Sequence, residues 1–303
     1  MNSIVTKQNK PRMLSLVRAR RRIYWTAKRY QGAIVLVTLL LPVISLAVAT
    51  FYPAARSYVA VAAILFGLCE VVLMDRWHRA QMKDAAKLQE DFDCEVLEIR
   101  GNSFLVGANV DPEEVYRLSA KTLNPKQEPQ LRDWYPVAVG KVPLHIGRIM
   151  CQRENLLYDG NVRKSYGRVL KGALLLLVVL LVGYSLAADL KVDALVLTVL
   201  VPAMPVVNWV LRECARQRDT VETLLRLKAE SEKLWKSAVD GLSPHESADR
   251  SRELQDAIYN HRVVSPLVFD FMYRVHRKDF EAQMNAGAEH LAMDYMNKNI
   301  ATA

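Results

Sequence analysis

The amino-acid sequence predicts an all-α membrane protein, with four transmembrane helices in two hairpins and a mostly helical cytoplasmic domain holding a short strand or two. Three observations carry this. Four long runs are nearly free of charge, two of the connectors between them are only five residues long, and the basic residues are concentrated on one side of those runs.

The first run, residues 33–52 (AIVLVTLLLPVISLAVATFY), is uncharged and 20 residues long. At a rise of ~1.5 Å per residue it reaches ~30 Å, the thickness of a bilayer's hydrocarbon core. Pro42 lies inside it, which a bilayer helix tolerates better than a soluble one. The second, Tyr58–Met74, is shorter and carries Glu70 near its end. The third, Val169–Ala188, contains LLLLVVLLV. The fourth, Ala194–Leu211, contains Pro202, Pro205 and Asn208. Connectors as short as 53–57 and 189–193 force antiparallel helix hairpins.

Charge sets the expected orientation. Residues 1–32 hold nine basic residues and no acid, and the remaining 32 basic residues balance the 32 acids, so the whole net charge of +9 belongs to the N-terminal arm. Such a block beside a membrane span points to anionic headgroups rather than to DNA or RNA. The two short connectors hold just Arg56 and Lys191 as basic residues. The positive-inside rule then predicts both termini and the middle of the chain in the cytoplasm of a bacterial inner membrane. Expected domains are a basic amphipathic arm (1–32), a first hairpin (33–74), a cytoplasmic domain (75–168), a second hairpin (169–211) and a cytoplasmic helical tail (212–303). Four dispersed cysteines without a CxxC pair fit a reducing compartment, and no signal peptide is expected.

Within the polar segments, residues 12–31 repeat apolar side chains at helical spacing (Met13, Leu16, Val17, Ile23, Tyr24, Ala27, Tyr30). This face suits headgroups or the protein's own cytoplasmic domain. Trp77, Ala85, Leu88 and Phe92 continue the first hairpin as a helical stalk, and Leu224, Leu225, Leu227, Leu234 and Trp235 continue the second. Asp111-Pro112-Glu113-Glu114 opens a helix toward Leu123, and Pro143 opens another through Arg148 to about Tyr158. Residues 93–110 are expected to hold the strands.

No Walker, GxGxxG, GxSxG or HExxH motif is present, and the six histidines lack metal-ligand spacing, so the sequence predicts neither an enzyme nor a cofactor or metal site. Asp91-x-Asp93 is read as carboxylates at a helix end. Two clusters stand out: Arg132-Asp133-Trp134-Tyr135-Pro136, and the segment from Gly147 to Asn155 with Asp159, Arg163 and Tyr166 after it. Arginines beside aromatics can clamp a phosphate while a base stacks, which makes Trp134, Tyr135, Arg148 and Arg153 the candidate ligand residues. The alternative, favoured on spacing alone, is an internal network with Asp133, Glu154 and Asp159. In the spans, Glu70 and Asn208 are the polar groups least at home in lipid. They are candidates for a pore mouth or gate, against the plainer reading that they reach headgroup water.

At these clusters the chain resembles the SMODS-associating four-transmembrane effectors of bacterial antiphage systems. The resemblance runs through Asn2-x-Ile4…Gln8-Asn9, Tyr24-x-x-Ala27-Lys28, Leu88-Gln89-Glu90-x-Phe92-Asp93-x-Glu95-Val96-Leu97, Asp133-Trp134-Tyr135-Pro136 and Arg148-Ile149-x-Cys151-Gln152-Arg153-x-Asn155. It ends in Leu254-Gln255-Asp256-x-Ile258-Tyr259 with Arg262. Where the family often has Trp-Asn, this chain reads Arg100-Gly101-Asn102. The resemblance implies an oligomeric effector that opens or disrupts the membrane, killing the infected cell, when a cyclic oligonucleotide arrives from a neighbouring synthase. The competing expectation is a non-conducting membrane scaffold that recruits a soluble partner through its cytoplasmic domain.

Overall fold

The computed structural model describes residues 2–120, 125–189 and 191–301, and among them every regular element is helical. The α-helices are α1 (Ile4–Lys7), α2 (Pro11–Phe51), α3 (Arg56–Leu97), α4 (Ser103–Val106), α5 (Pro112–Ser119), α6 (Leu144–Ala187), α7 (Val192–Leu195), α8 (Val201–Val239), α9 (Pro244–Val264) and α10 (Asp270–Ala301). A π-helical turn, Val196–Leu200, joins α7 to α8. The chain divides into two compact units. The first comprises Met1–Thr26, Ala80–Arg163 and Thr220–Ala303, and the second Ala27–Arg79 and Lys164–Asp219. Helices α2, α3, α6 and α8 supply residues to both.

The second unit wears its apolar side chains outside. Leu36 is 58% exposed, Leu65 57% and Leu175 66%. The most apolar stretches of Pro11–Ser45 and Leu144–Ala187 are long and apolar enough to cross a membrane, yet only 17% and 6% of their residues are buried; Ser57–Leu68 is a shorter apolar stretch. A helix from a soluble core would hide such residues, so this surface is one that lipid covers. Two hydroxyls within it bond to their own helices. Thr38 Oγ1 donates to the Ile34 carbonyl (2.9 Å) and Ser185 Oγ to that of Leu181 (2.7 Å), since hydrocarbon offers no other acceptor. Beside the spans, Tyr30 and Trp77 meet edge to face at 4.8 Å, aromatics of the kind that settle at headgroup depth.

The first unit is a conventional core. Met13, Leu16, Val17 and Ile23 of α2, Leu88, Phe92 and Val96 of α3, Ile146, Ile149 and Met150 of α6, Leu224 and Leu234 of α8, and Leu254 and Ile258 of α9 are buried together. The apolar face of residues 12–26 thus packs on the protein's own core. The strands expected in 93–110 do not form among these residues. Leu88, Phe92 and Val96 follow one another at four-residue spacing, so residues 93–97 are the buried last turns of α3. Asn102 then caps the short α4 by accepting from the Leu105 N–H. The helix opened after Pro143 does not stop near Tyr158 but continues unbroken through residue 187.

The end of α3 is sealed from outside the helix. Glu98 adopts φ 53° and the Ile99 N–H reaches back to the Cys94 carbonyl at 3.0 Å, a left-handed helix stop that usually takes glycine. The Glu98 carboxylate is held by Lys7 (2.6 Å) and Ser3 (3.0 Å).

Candidate functional site

The motif residues of the sequence, scattered over more than 250 positions, converge in the first unit on one buried polar network. Its centre is Asp93 on α3, fully buried. Asp93 accepts from the Tyr135 hydroxyl (2.8 Å), Gln89 Nε2 (2.7 Å), Gln255 Nε2 (3.1 Å) and the Arg262 guanidinium (2.6 Å). One turn earlier, Glu90 accepts from Gln255 (2.8 Å) and Arg252 (2.7 Å), and Arg252 also binds Asp256 and the Arg100 carbonyl. From α6, Gln152 donates to Gln255 and to the Ser251 carbonyl, while the Ser251 hydroxyl donates back to Gln152. Asn155 donates to the Tyr135 hydroxyl at 3.1 Å.

Helix periodicity explains the convergence. Gln89 and Asp93 are four apart on α3, and Arg252, Gln255, Tyr259 and Arg262 follow one another at three- or four-residue spacing on α9, so each set lines one face. Burial opposes the charge on Arg262, but the Asp93 carboxylate outweighs it and holds the guanidinium above its ordinary value. Burial, and then the Asp93 charge, drives the Tyr135 hydroxyl well above the phenolic range, so it acts as a donor. Burial likewise pushes the Cys151 thiol up, leaving it inert.

The N-terminus clips this network. The Gln8 side-chain amide donates to the Tyr135 carbonyl (3.2 Å) and accepts from its N–H (2.7 Å). Asn9 exchanges two hydrogen bonds with Asp133, whose φ is 52°. Asn2 donates to the carbonyls of Val139 and Val142. Gly147 leaves room for that clip, because a Cβ there would lie 2.7 Å from Asn2 Nδ2 and 3.1 Å from Ile4 Cδ1.

A second polar group lies further along α6. Arg163 binds Asp159 (2.9 Å) and the Pro266 carbonyl (2.8 Å), while His261 Nε2 faces both Asp159 (3.4 Å) and the Ser265 hydroxyl (3.1 Å). Serine, histidine and carboxylate meet here, but both contacts fall on the same ring nitrogen. A proton relay needs one contact on each nitrogen, so the group has packing geometry and not that of a triad.

The four residues read from the sequence as ligand contacts do not share one opening. Tyr135 is buried in the network. Trp134 is half-buried, edge to face with Phe92 (6.5 Å) and covered by the Arg20 guanidinium at 4.4 Å. Arg148 donates to the carbonyls of Leu97 and Glu98 (2.6 Å each), closing the end of α3. Arg153 faces Glu154 (3.2 Å) and Glu232 (3.4 Å). In the second unit Asn208 is exposed on α8, while Glu70 lies on α3 with its side chain outside the described residues. Among the described residues, no group of three or more His, Cys, Asp or Glu is placed to hold a metal. An open cleft of about 510 Å³ between the ends of α8 and α10, lined by Trp235, Asp240 and Lys298, contains none of the predicted residues.

Arg20 has no role among the residues singled out from the sequence. Its signal was available: it stands three residues after Val17 and three before Ile23, within the apolar stripe.

Residues 2–291 match the SMODS-associating 4TM effector domain. The chain belongs to that family. A relative from Bacillus cereus (strain VD146), described as a "Probable CBASS effector molecule", is 23% identical over 290 residues, covering 93% of this chain and 95% of its own. No solved structure matches this chain.

Proposed function

We propose that this 4TM effector is a membrane-killing component of antiphage defence, switched by a cyclic nucleotide from a neighbouring synthase. The observation that carries the reading is the exposed apolar surface of the second unit, in a chain that belongs to an effector family throughout its length. The B. cereus relative, described as a CBASS effector, supports the signalling context. In this reading four helices cross the inner membrane as two hairpins, with both termini in the cytoplasm. Four helices of one chain fill their own core and leave no aqueous path, so conduction requires several copies. Exposed Asn208, with Glu70, would face the mouth of such an assembly, and the apolar residues beyond would keep it dewetted at rest.

Reconstitution tests this directly. Full-length protein in dye-filled liposomes should release dye only when its cyclic oligonucleotide is added, and Glu70→Gln should change ion selectivity. Protein that binds the nucleotide yet never leaks dye would be the recruiting scaffold. Reporter fusions after residue 110 and at the C-terminus should both report cytoplasm, and fusions near residues 55 and 191 the opposite side. Termini on opposite sides would refute the two-hairpin arrangement.

A further inference from the structure

The arginines of the first unit's network are matched. Arg262 has Asp93, Arg252 has Glu90 and Asp256, Arg163 has Asp159, Arg153 has Glu154 and Glu232, and Arg148 has two carbonyls. Arg20 is different. It makes no ion pair or hydrogen bond among the described residues, its Nε, like that of Arg252, is buried without an acceptor, and its guanidinium lies over the Trp134 ring at 4.4 Å. Asp93, the acid whose charge acts on it, is already committed to Arg262, which in turn repels Arg20. Burial first, and then that repulsion, pulls the Arg20 guanidinium below its ordinary value, against the opposing charges of Tyr24 and Asp93. A half-buried cation without a counter-ion is unfavourable unless something supplies one. Both Arg20 and Trp134 remain partly open to solvent. A guanidinium held over an indole ring leaves its terminal N–H groups for phosphate oxygens and its far side for a planar base.

We propose that Arg20 and Trp134 form the phosphate-recognition end of a ligand site on the first unit, taking a phosphodiester that carries a planar base. This rests on the reading that the protein answers a cyclic nucleotide, and it moves the cation of the site from Arg148 and Arg153 to Arg20. The Arg20 guanidinium, held in place by the Trp134 ring, takes the base on its far side, and its terminal N–H groups take the charge. Arg148 and Arg153 hold the scaffold.

The test is thermal melting and equilibrium binding of the full-length protein in nanodiscs. The probes are a panel of cyclic di- and trinucleotides, inorganic phosphate, and nanodiscs made with and without phosphatidylglycerol. The activating nucleotide should stabilise wild type. Arg20→Met should melt higher than wild type without ligand, because it removes an uncompensated charge, and should bind nucleotide at least about tenfold more weakly. A purely structural Arg20 would lower the melting point on substitution and leave affinity alone, which would overturn the proposal. Equal nucleotide affinity in wild type and Arg20→Met would also overturn it while leaving the nucleotide reading intact. Stabilisation by phosphate, lost in Arg20→Met, with no response to any nucleotide would keep the anion site and refute the nucleotide reading. An Arg20-dependent response to phosphatidylglycerol alone would assign the site to a lipid headgroup and refute the proposal as stated. No response to any anion would refute it outright.

Discussion

Replacing Asp93 by asparagine should be among the most damaging single changes available in the first unit. The wild-type carboxylate is fully buried and accepts four hydrogen bonds, from Tyr135, Gln89, Gln255 and Arg262. Asparagine keeps the shape but removes the charge facing Arg262, and it turns one acceptor oxygen into a donor facing donors. Removing one partner of a buried ion pair typically costs ~3–5 kcal/mol, mostly because the remaining charge is uncompensated. For a body of this size that lowers the melting temperature by roughly 6–20 °C. The assay is thermal unfolding of detergent-solubilised full-length protein, run as a cycle with Arg262→Met and the double variant. Because most of the penalty is the stranded charge, the double variant should recover much of the loss, with a coupling energy of at least ~1 kcal/mol. Asp93→Asn melting within ~2 °C of wild type, with additive single effects, would mean that water reaches the pair and that the network is not the keystone described here.

The other predictions concern the surroundings of that network. Glu154 is buried beside Arg153, and burial raises its carboxyl to about 7. The folded state therefore holds a proton that the unfolded state has released above its ordinary value near 4.5, so this group's contribution to stability falls as pH rises from about 4.5 to 7. Glu154→Gln should raise the melting temperature relative to wild type at pH 8 and not at pH 4; an unchanged difference across that range would refute the assignment. Arg148→Ala frees two carbonyls at the end of α3 and should destabilise by ~1–3 kcal/mol with nucleotide affinity unchanged, measured by melting and equilibrium binding. Gly147→Ala should displace Asn2 and Ile4, so the first ten residues become sensitive to limited proteolysis while membrane insertion is kept.

Much of the architecture was legible because its causes are local. Two of the apolar runs lie in helices long and apolar enough to cross a membrane, and Pro112 and the helix after Pro143 follow from the tolerance of first turns for proline. The strands expected between 93 and 110 do not form because Val96 continues the buried helical face of Leu88 and Phe92. The helix expected to end near Tyr158 and the span expected from Val169 are one helix, α6, with Arg163 bonded to Asp159 between them. The partnerships were out of reach. Nothing local says that Gln8 will hold Tyr135 or that Arg262 will face Asp93, since those pairs lie 127 and 169 residues apart. Arg148 illustrates the point: within an arginine-bearing cluster of the sequence it suggested a phosphate clamp, but in space it donates to the carbonyls of a helix end.

The first unit is also discontinuous, and this orders its assembly during synthesis. Its opening segment leaves the ribosome first, its middle segment follows the first apolar stretch, and its last segment follows the second. Gln8 must wait for Tyr135, and Asp93 must wait for Arg262, which lies beyond both hydrophobic regions. The unit therefore cannot close until both apolar regions have been made. A nascent or truncated chain ending before α9 carries the apolar helices without the completed polar core.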